Sequence, residues 1–318
     1  MNKDVEKNGF KDKYFDTEEV KLHYLEGPNN GEPLILIPGQ GLSLESYQRV
    51  LIPLSKKYQV FAVDVRGHGK SSWTTGNYNF SNIGHDFELF LKQIVRRPAI
   101  ISGNSSGGLI ALWLAANVPE MVQRIILEDT PVFSAEWPRL RDDCWAYRVF
   151  KRITETIGSS KGRNLAAFFK GMEVPIEGKQ QVIQFPNWLT GIISFMIRIH
   201  EWFYPGKSVD LLLLPAETRM LIKGLSEYDP DFTRAFVDGY AYKGLNHAEA
   251  LKKVRCPILV LQANWFRSPQ YGLVGAMDDK DIERLLLLAP QAKKKRITSG
   301  HMIHFEHPSE YIAAIESK

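Results

Sequence analysis

The sequence predicts an α/β protein with a mostly parallel sheet, helices on both faces of the sheet and a helical insertion. In residues 1–132 and 249–318, short apolar runs of strand length alternate with helical patterns. Such alternation is typical of βαβ units, which build parallel sheets. Between residues 133 and 248 the alternation stops, and helical periodicity rich in aromatic residues replaces it. The chain is therefore predicted to have a core, 1–132 and 249–318, and an insertion, 133–248.

Several short runs are candidates for strands because most of them are rich in apolar residues, as strands of a sheet covered on both faces are. In chain order the candidates are 20–25, 34–37, 60–65, 99–102, 124–127, 258–262 and, more weakly, 295–298. Helices are predicted over 109–117, 281–288 and 309–316. The insertion is interpreted as a helical cap over the carboxyl edge of the sheet, where ligands bind in open α/β folds. Most of its rings are expected to form its own core, and Trp188 is expected to contact a substrate.

Composition and charge exclude several classes of protein. The 318 residues carry a net charge of +4 without a basic stripe, so no nucleic-acid partner is predicted. The charged N-terminus has no apolar signal region, and a cytoplasmic location is expected. No apolar run is long enough to span a membrane. The nearest, 189–204, is interpreted as a buried helix, with a membrane-surface helix as the alternative. The same stretch and 211–214 are also candidates for a contact in a homo-oligomer.

The segment 98–113 is the most informative stretch. It reads as a buried strand, then a G-x-S-x-G pattern from Gly103 to Gly107, then a helix. This context places a serine on a tight turn, with its hydroxyl clear of the sheet and a helix N-terminus behind it. The position in the pattern selects Ser105 as the nucleophile. The backbone N–H of Ser106 is then expected to stabilise an oxyanion.

A second oxyanion donor is expected in the loop after the strand 34–37, which reads Pro38-Gly39-Gln40-Gly41. Proline has no N–H to donate, whereas the glycines give the backbone freedom to turn inward. Gln40 is therefore the candidate donor. Gly39 is expected to border the substrate.

The catalytic base is expected on a loop after the last strand. His301 comes first in that loop and is the candidate, with Met302 beside it near the substrate. His304 is the one serious competitor. A metal site formed by these two histidines and His307 is disfavoured because no cysteine or carboxylate completes a ligand pattern. No metal and no organic cofactor are predicted.

The acid expected to orient the histidine is missing from its usual place in the sequence. A carboxylate is expected shortly after the strand 258–262, but none appears before Asp278. Asp129, at the carboxyl end of the strand 124–127, is the favoured replacement. Glu128 precedes it, but strand residues alternate between faces, so only one of the two is expected to act.

The group Asp278, Asp279 and Asp281 remains an alternative source of the acid. These residues precede a helical pattern and look like a helix cap with an acidic first turn.

The motifs together resemble a known family. In chain order they are LILIPGQG, VFAVDVRGHGKS, ISGNSSGG, LEDTP, CPILVLQAN and SGHMIHFEHP. This set resembles the α/β-hydrolase superfamily, in its cap-bearing serine esterase and lactonase branch. Zearalenone-type lactone hydrolases place their acid where this chain has Asp129. Two departures are Pro38, where many members have histidine, and the missing acid after Gln262.

The resemblance implies that the chain transfers an acyl group to water without a cofactor. The expected substrate is a small apolar ester or lactone, aromatic or macrocyclic, because the insertion is rich in rings. A C–C bond hydrolase with the same triad is the first alternative. The second is a ligand-binding receptor on the same scaffold.

Overall fold

The computed structural model describes residues 3–176 and 179–317 of the chain. Its main sheet has eight strands: β1 Lys11–Asp16, β2 Lys21–Glu26, β3 Glu32–Ile37, β4 Tyr58–Val63, β5 Ala99–Asn104, β6 Val122–Glu128, β9 Ile258–Gln262 and β12 Ala292–Arg296. Their order across the sheet is β1-β2-β4-β3-β5-β6-β9-β12. The strands from β4 to β12 in this order are parallel, and β1 and β2 run antiparallel at one edge. Two-stranded ribbons are formed by β7 Glu173–Pro175 with β8 Val182–Gln184, and by β10 Phe266–Ser268 with β11 Gly272–Val274.

Helices cover the sheet and form the insertion. They are α1 Lys3–Lys7, α2 Leu51–Ser55, α3 Phe80–Phe90, α4 Ser106–Asn117, α5 Arg139–Asp143, α6 Trp145–Thr156, α7 Leu165–Phe169, α8 Asn187–Phe203, α9 Ala216–Ser226, α10 Pro230–Val237, α11 His247–Lys253, α12 Asp279–Leu288, α13 Ile303–Glu306 and α14 Pro308–Glu316. Turns of 3₁₀ helix lie at Leu44–Arg49, Pro119–Met121 and Tyr240–Tyr242, and a π-helical turn continues α3 at Leu91–Val95. No helix of the described residues is long and apolar enough to cross a membrane.

Alternate residues of the central strands enter two separate hydrophobic clusters. In β3, Ile35 and Ile37 pack in the cluster that contains α3, α4, α11 and α12. Leu34 and Leu36 pack in the opposite cluster, with α2 and α14. Because successive side chains of a strand point to opposite faces, an unbroken apolar run fills both layers. The sequence prediction of a parallel sheet covered on both faces is confirmed.

The strand order reverses direction beside β3. From β3 the chain moves outward to β4, and β5 then pairs with the other side of β3. The loops after β3 and β5 therefore leave the same carboxyl edge on diverging paths and open a crevice between them. Gln40 follows β3 and Ser105 follows β5, so the topology alone brings them to one place.

The chain between β6 and β9 contains α5 to α11 and the β7–β8 ribbon. The predicted domain boundary at residue 133 follows β6. The boundary at 248 falls inside α11, which packs against α4 of the core. The division into two domains stays a prediction. The stretch 189–204, predicted as a buried helix, is instead a surface helix, because α8 buries Thr190, Ile193 and Ile197 and exposes its opposite side.

Most predicted strands lie within two residues of the observed ones. The last strand is an exception: the prediction is 295–298, and the strand is observed at Ala292–Arg296. It is an edge strand, and four of its five residues are exposed, so it has no apolar pattern. The apolar Ile297, which suggests a strand in the sequence, packs in the core just beyond its end. The strand β1 and the helix α3 are not predicted from the sequence.

Candidate active site

Ser105 is the single residue between a strand and a helix. The strand β5 ends at Asn104, and α4 begins at Ser106. The backbone of Ser105 has φ 54° and ψ −121°, a conformation that residues with a side chain rarely adopt. Such strain persists where the surrounding structure enforces it, and it concentrates at functional sites. The sharp turn stands at the carboxyl edge of the sheet, and Ser105 lines the cavity there.

Small residues make this turn possible. A Cβ atom on Gly103 would lie 2.2 Å from the backbone of Gly107, and one on Gly107 would lie 2.3 Å from the carbonyl oxygen of Ile37. A Cβ on Gly108 would meet Thr130 Oγ1 at 1.8 Å. The helix α4 therefore lies too close to its neighbouring segments for any side chain at these positions. The G-x-S-x-G pattern has a packing reason as well as a chemical one.

The two residues predicted to supply oxyanion N–H groups lie at the cavity beside Ser105. Ser106 is the first residue of α4, where a helix leaves its N–H groups without intrahelical partners. Gln40 and Ser106 both line the cavity. The side-chain amide of Gln40 donates to Thr233 Oγ1 at 2.8 Å, which ties the β3 loop to α10. Gly41, just after Gln40, has φ +74°, a value that favours glycine.

His301 and Asp129 form a short hydrogen bond. The distance from His301 Nδ1 to Asp129 Oδ2 is 2.6 Å. The other oxygen, Oδ1, accepts the backbone N–H of Ala263 at 3.1 Å. The Asp129 carboxylate is buried, whereas His301 is half exposed, toward the cavity that it lines. The structure thus brings together Ser105, His301 and Asp129 at one edge of the sheet.

The loop that carries His301 is held by Glu306 from α13. One oxygen of Glu306 accepts the N–H of Gly300 at 2.6 Å and the hydroxyl of Ser299 at 3.2 Å. The other accepts the N–H of Met302 at 3.3 Å. From the other side, the amide of Asn104 donates to the carbonyl oxygen of His301 at 2.9 Å. Both residues lie within the quoted motifs, but the sequence does not reveal that Glu306 and Asn104 bond to the backbone of the His301 loop.

The negative charges around His301 favour its protonated form. Desolvation lowers the pKa of His301, but the hydrogen bond and charge of Asp129 outweigh it, helped by Glu128 and Glu306. The net result is a pKa above the ordinary histidine value of 6.5. A base with a somewhat raised pKa is better able to accept a proton near neutral pH.

A second carboxylate–histidine pair lies beside the first. His304 Nδ1 contacts Glu128 Oε1 at 2.7 Å, and the backbone N–H of His304 donates to the same oxygen at 2.8 Å. Both side chains are fully buried, and Tyr47 stacks on the imidazole at 4.1 Å between centroids. Strand alternation explains the arrangement, since Glu128 and Asp129 point to opposite sides of β6. His304 is not among the residues that line the cavity.

The alternative acids are occupied elsewhere. Asp278 caps α12 by accepting the N–H of Asp281, and it accepts a hydrogen bond from Arg267 at 2.7 Å. Burial raises the pKa of Asp278, but these hydrogen bonds outweigh it and lower the pKa below the usual value. Asp281 pairs with Arg139. Asp279 lies 3.4 Å from the amide of Gln262. Within the described residues, His301 has its carboxylate hydrogen bond with Asp129 and not with any of these three.

The cavity has a volume of about 510 Å³. Its wall is mostly apolar and comes largely from the insertion and the β10–β11 ribbon: Pro131, Ala135, Leu140, Cys144, Trp145, Ala146, Val149, Phe150, Pro175, Ile176, Phe236, Trp265, Phe266, Val274 and Ala276. Lys179 and Gln180, which are exposed, contribute from the chain between β7 and β8.

Three residues predicted near the substrate fall in different places. Gly39 packs against the turn that carries Ser105, since a Cβ on it would lie 3.0 Å from that of Ser105. Met302 follows His301 but is not part of the cavity wall. Trp188, predicted in the pocket, lies instead on the outer side of α8, 68% exposed. The periodicity of α8 could not distinguish its inner face from its outer one.

Comparison with known proteins agrees with the fold described above. Residues 32–150 match the family model described as the α/β hydrolase fold. The eight-stranded sheet and the strand–serine–helix turn are the features of that fold. The chain has the α/β-hydrolase fold. Among the described residues, no three His, Cys, Asp or Glu side chains are grouped to hold a metal ion.

Individual relatives are similar over part or all of the chain. A 3-oxoadipate enol-lactonase 2 from Acinetobacter baylyi is 33% identical over 114 residues, which is 36% of this chain and 43% of that protein. The matched stretches span less than half the length of each of the first three curated relatives. The enol-lactonase from Burkholderia xenovorans LB400 has a similar structure, with a TM-score of 0.63 and 17% identity over 95% of this chain and 98% of that chain. An N-formylmaleamic acid deformylase from Pseudomonas putida S16 has a TM-score of 0.65 and 20% identity, over 96% of this chain and 100% of that chain.

Proposed function

We propose that this α/β hydrolase cleaves carboxylic esters or lactones of apolar small molecules through Ser105, His301 and Asp129. The observation that carries the proposal is the combination of a strained serine and a carboxylate-bound histidine in the wall of one apolar cavity. The similarity to enol-lactonases supports the same type of reaction. A small set of polar groups in an apolar cavity is typical of a substrate site.

The proposed reaction begins with proton transfer from Ser105 to His301. Asp129 accepts a hydrogen bond from the Nδ1–H group, which leaves Nε2 unprotonated and able to take the proton of the Ser105 hydroxyl. As Oγ bonds to the carbonyl carbon, the carbonyl π electrons move to oxygen, and the N–H groups of Gln40 and Ser106 stabilise the oxyanion. Each such donor contributes about 3 kcal/mol of transition-state stabilisation.

The tetrahedral intermediate then collapses with loss of the alcohol oxygen. That oxygen takes the proton from His301 and leaves as an alcohol, or stays tethered to the acyl group when the substrate is a lactone. A water molecule next gives a proton to His301 and attacks the acyl-enzyme. Ser105 regains its proton as the carboxylic acid departs, so protons and electrons balance without a cofactor.

The size of the cavity bounds the substrate class. A cavity of about 510 Å³ falls within the range of sites for drug-sized ligands. The rings of Trp145, Phe150, Phe236 and Phe266 give it a wall suited to an aromatic or macrocyclic acyl group. Lys179, which is exposed, adds one positive charge to the cavity wall.

The proposal is tested by comparing two adjacent serines. Ser105→Ala should abolish hydrolysis of a p-nitrophenyl ester and labelling by a fluorophosphonate, with an unchanged circular dichroism spectrum. Ser106→Ala is the matched control, because in this mechanism Ser106 contributes only a backbone N–H, which alanine retains. Ester turnover or labelling that survives in Ser105→Ala would contradict the proposal.

A panel of esters and lactones of graded size then tests the substrate class. We expect kcat/KM to rise as the acyl group fills the apolar wall, and to drop once the substrate exceeds the cavity. Turnover of a diketone with no turnover of any ester or lactone would instead assign the site to C–C bond hydrolysis.

A further inference from the structure

A narrow apolar stripe runs along the outer side of α8. It consists of Trp188, Ile192, Phe195, Ile199 and Trp202, which are 68%, 49%, 65%, 41% and 75% exposed. Their spacing alternates between four residues and three, so at 100° per residue they fall within a sector of about 80°. The stripe is about 21 Å long at 1.5 Å per residue. Phe203 and Tyr204, 61% and 59% exposed, extend it at the C-terminal end.

The opposite side of the same helix is already buried. Thr190, Ile193 and Ile197 are covered, and α8 packs on α7. The buried face therefore attaches α8 to the rest of the insertion, and the stripe takes no part in that contact. None of the stripe residues lines the active-site cavity.

The area of the stripe is that of a protein interface. Taking roughly 200 Å² for each aromatic side chain, the seven exposed residues present on the order of 800 Å² of apolar surface. A standard interface buries about 800 Å² on each partner, and the largest apolar patch of an ordinary monomer is about 300–600 Å². A surface of this size left in water would favour association.

The order of the side chains identifies the partner. Read along the helix, the stripe is Trp, Ile, Phe, Ile, Trp, which is the same in both directions. A two-fold axis needs a patch that is complementary to itself, with residue i on residue j and j on i. Antiparallel pairing of two α8 helices about Phe195 would place Trp188 of each copy against Trp202 of the other.

The charges on α8 favour the same partner over a lipid surface. Apart from His200, the charged residues of this helix are the basic Arg198 and the acidic Glu201, whose charges balance. Helices that bind anionic membranes carry an excess of Lys and Arg beside their apolar face. We propose that this hydrolase forms a two-fold symmetric homodimer in which the α8 stripes of two copies pack antiparallel.

Sedimentation velocity over a range of protein concentrations tests the dimer. The wild-type protein should sediment as a species with twice the mass of the monomer. Phe195→Glu should raise the dissociation constant by at least about 30-fold, which corresponds to a hot-spot loss of ~2 kcal/mol. Leu287→Glu is the matched control, because Leu287 is 79% exposed on α12, away from the stripe. It should leave the dimer intact.

Cysteine cross-linking tests the antiparallel register, in a background where the partly exposed Cys256 is replaced by serine. Phe195→Cys should form a disulfide with itself in the dimer. Trp188→Cys and Trp202→Cys should cross-link only when the two variants are mixed. Self-cross-linking of Trp188→Cys alone would overturn the antiparallel arrangement.

Three other results would overturn the proposal. A wild-type monomer at about 100 µM would do so, because interfaces of this size are occupied at that concentration. A dimer that survives Phe195→Glu would place the interface elsewhere. Co-sedimentation of a monomer with phosphatidylglycerol–phosphatidylcholine vesicles, lost in Phe195→Glu, would assign the stripe to a lipid surface. Ester hydrolysis is assayed separately in each case, so the proposed homodimer can be refuted while the proposed hydrolysis through Ser105 stands, and the reverse.

Discussion

Replacing Asp129 with asparagine should lower kcat strongly and change the stability of the fold only slightly. The asparagine side chain would keep the shape of the aspartate and lose its charge. In the native structure one oxygen accepts from His301 Nδ1 and the other from the N–H of Ala263. An amide has only one oxygen, so one of these two donors must face an NH₂ group.

Both orientations of the asparagine amide damage the site. If the oxygen stays with Ala263, the NH₂ group faces His301 and forces the Nδ1 atom to accept a hydrogen bond. The proton then resides on Nε2, which cannot take the proton of Ser105. If the oxygen faces His301, the N–H of Ala263 is left buried without a partner, at a cost of about 1–3 kcal/mol.

We expect the first orientation to prevail, because the imidazole can change its tautomer and a backbone N–H cannot. The wrong tautomer lowers kcat by about 10⁴-fold in serine hydrolases, equivalent to ~5.5 kcal/mol. The thermal midpoint should change by only a few degrees. The pKa of His301 should also fall, because the charge of Asp129 supports its raised value. The acid limb of kcat/KM, where His301 becomes protonated, should therefore move to lower pH.

Steady-state hydrolysis of a p-nitrophenyl ester over a range of pH, from about 5 to about 9, measures both effects. Glu128→Gln is the neighbouring control: it disturbs the buried pair with His304, so it should lower the thermal midpoint and leave kcat within about tenfold. Asp278→Asn keeps an N-cap side chain for α12 and loses the ion pair with Arg267, so it should have little effect on kcat. If Asp129→Asn retains a tenth of wild-type kcat while Asp278→Asn loses three orders of magnitude, the reasoning is wrong.

Two further predictions concern stability. Gly103→Ala should destabilise the fold by at least about 2 kcal/mol, because its Cβ would lie 2.2 Å from the backbone of Gly107. Gly191→Ala, which lies in open space on α8, should stabilise the fold by about 0.5–1 kcal/mol. Urea unfolding measures the free energy of unfolding of both variants, and equal effects would contradict the packing argument. Burial lowers the pKa of His68 to about 4 and of His247 to about 3. The unfolded chain then binds protons that the native chain does not, so stability should fall as the pH drops below the ordinary histidine pKa of 6.5, by about 2 kcal/mol for each histidine at about pH 5. His247→Gln should remove part of this pH dependence; an unaltered dependence would assign it to other groups.

The sequence alone predicts the segments in which one short motif specifies both the local backbone structure and a candidate catalytic residue. The strand β5, Ser105 and α4 follow one another without a gap, so a local motif specifies the turn. Asp129 is favoured because the usual position after β9 is empty, and its hydrogen bond to His301 now supports that choice. Its role in the reaction stays a prediction, as do those of Gln40 and Ser106.

Other features depend on contacts that a single sequence does not reveal. Glu306 holds the His301 loop through backbone N–H groups, and Thr233 holds Gln40 from 193 residues away. The edge strand β12 is nearly all Lys and Arg, so it has no hydrophobic signal. In α8, apolar residues occupy both faces, and only the packing of the insertion decides which face stays exposed.

The hydrogen bond between Asp129 and His301 has a consequence for how substrate preference can change. The acid follows β6, so the loop after β9 has no part in orienting the imidazole through a carboxylate. Asn264, Trp265 and Phe266 of that loop line the cavity instead. Substitutions there can reshape the pocket while the charge that orients His301 stays in place. In the proposed mechanism, the residues that would select a substrate are thus separate from the carboxylate that would orient the base, which makes this loop a place to begin redesign.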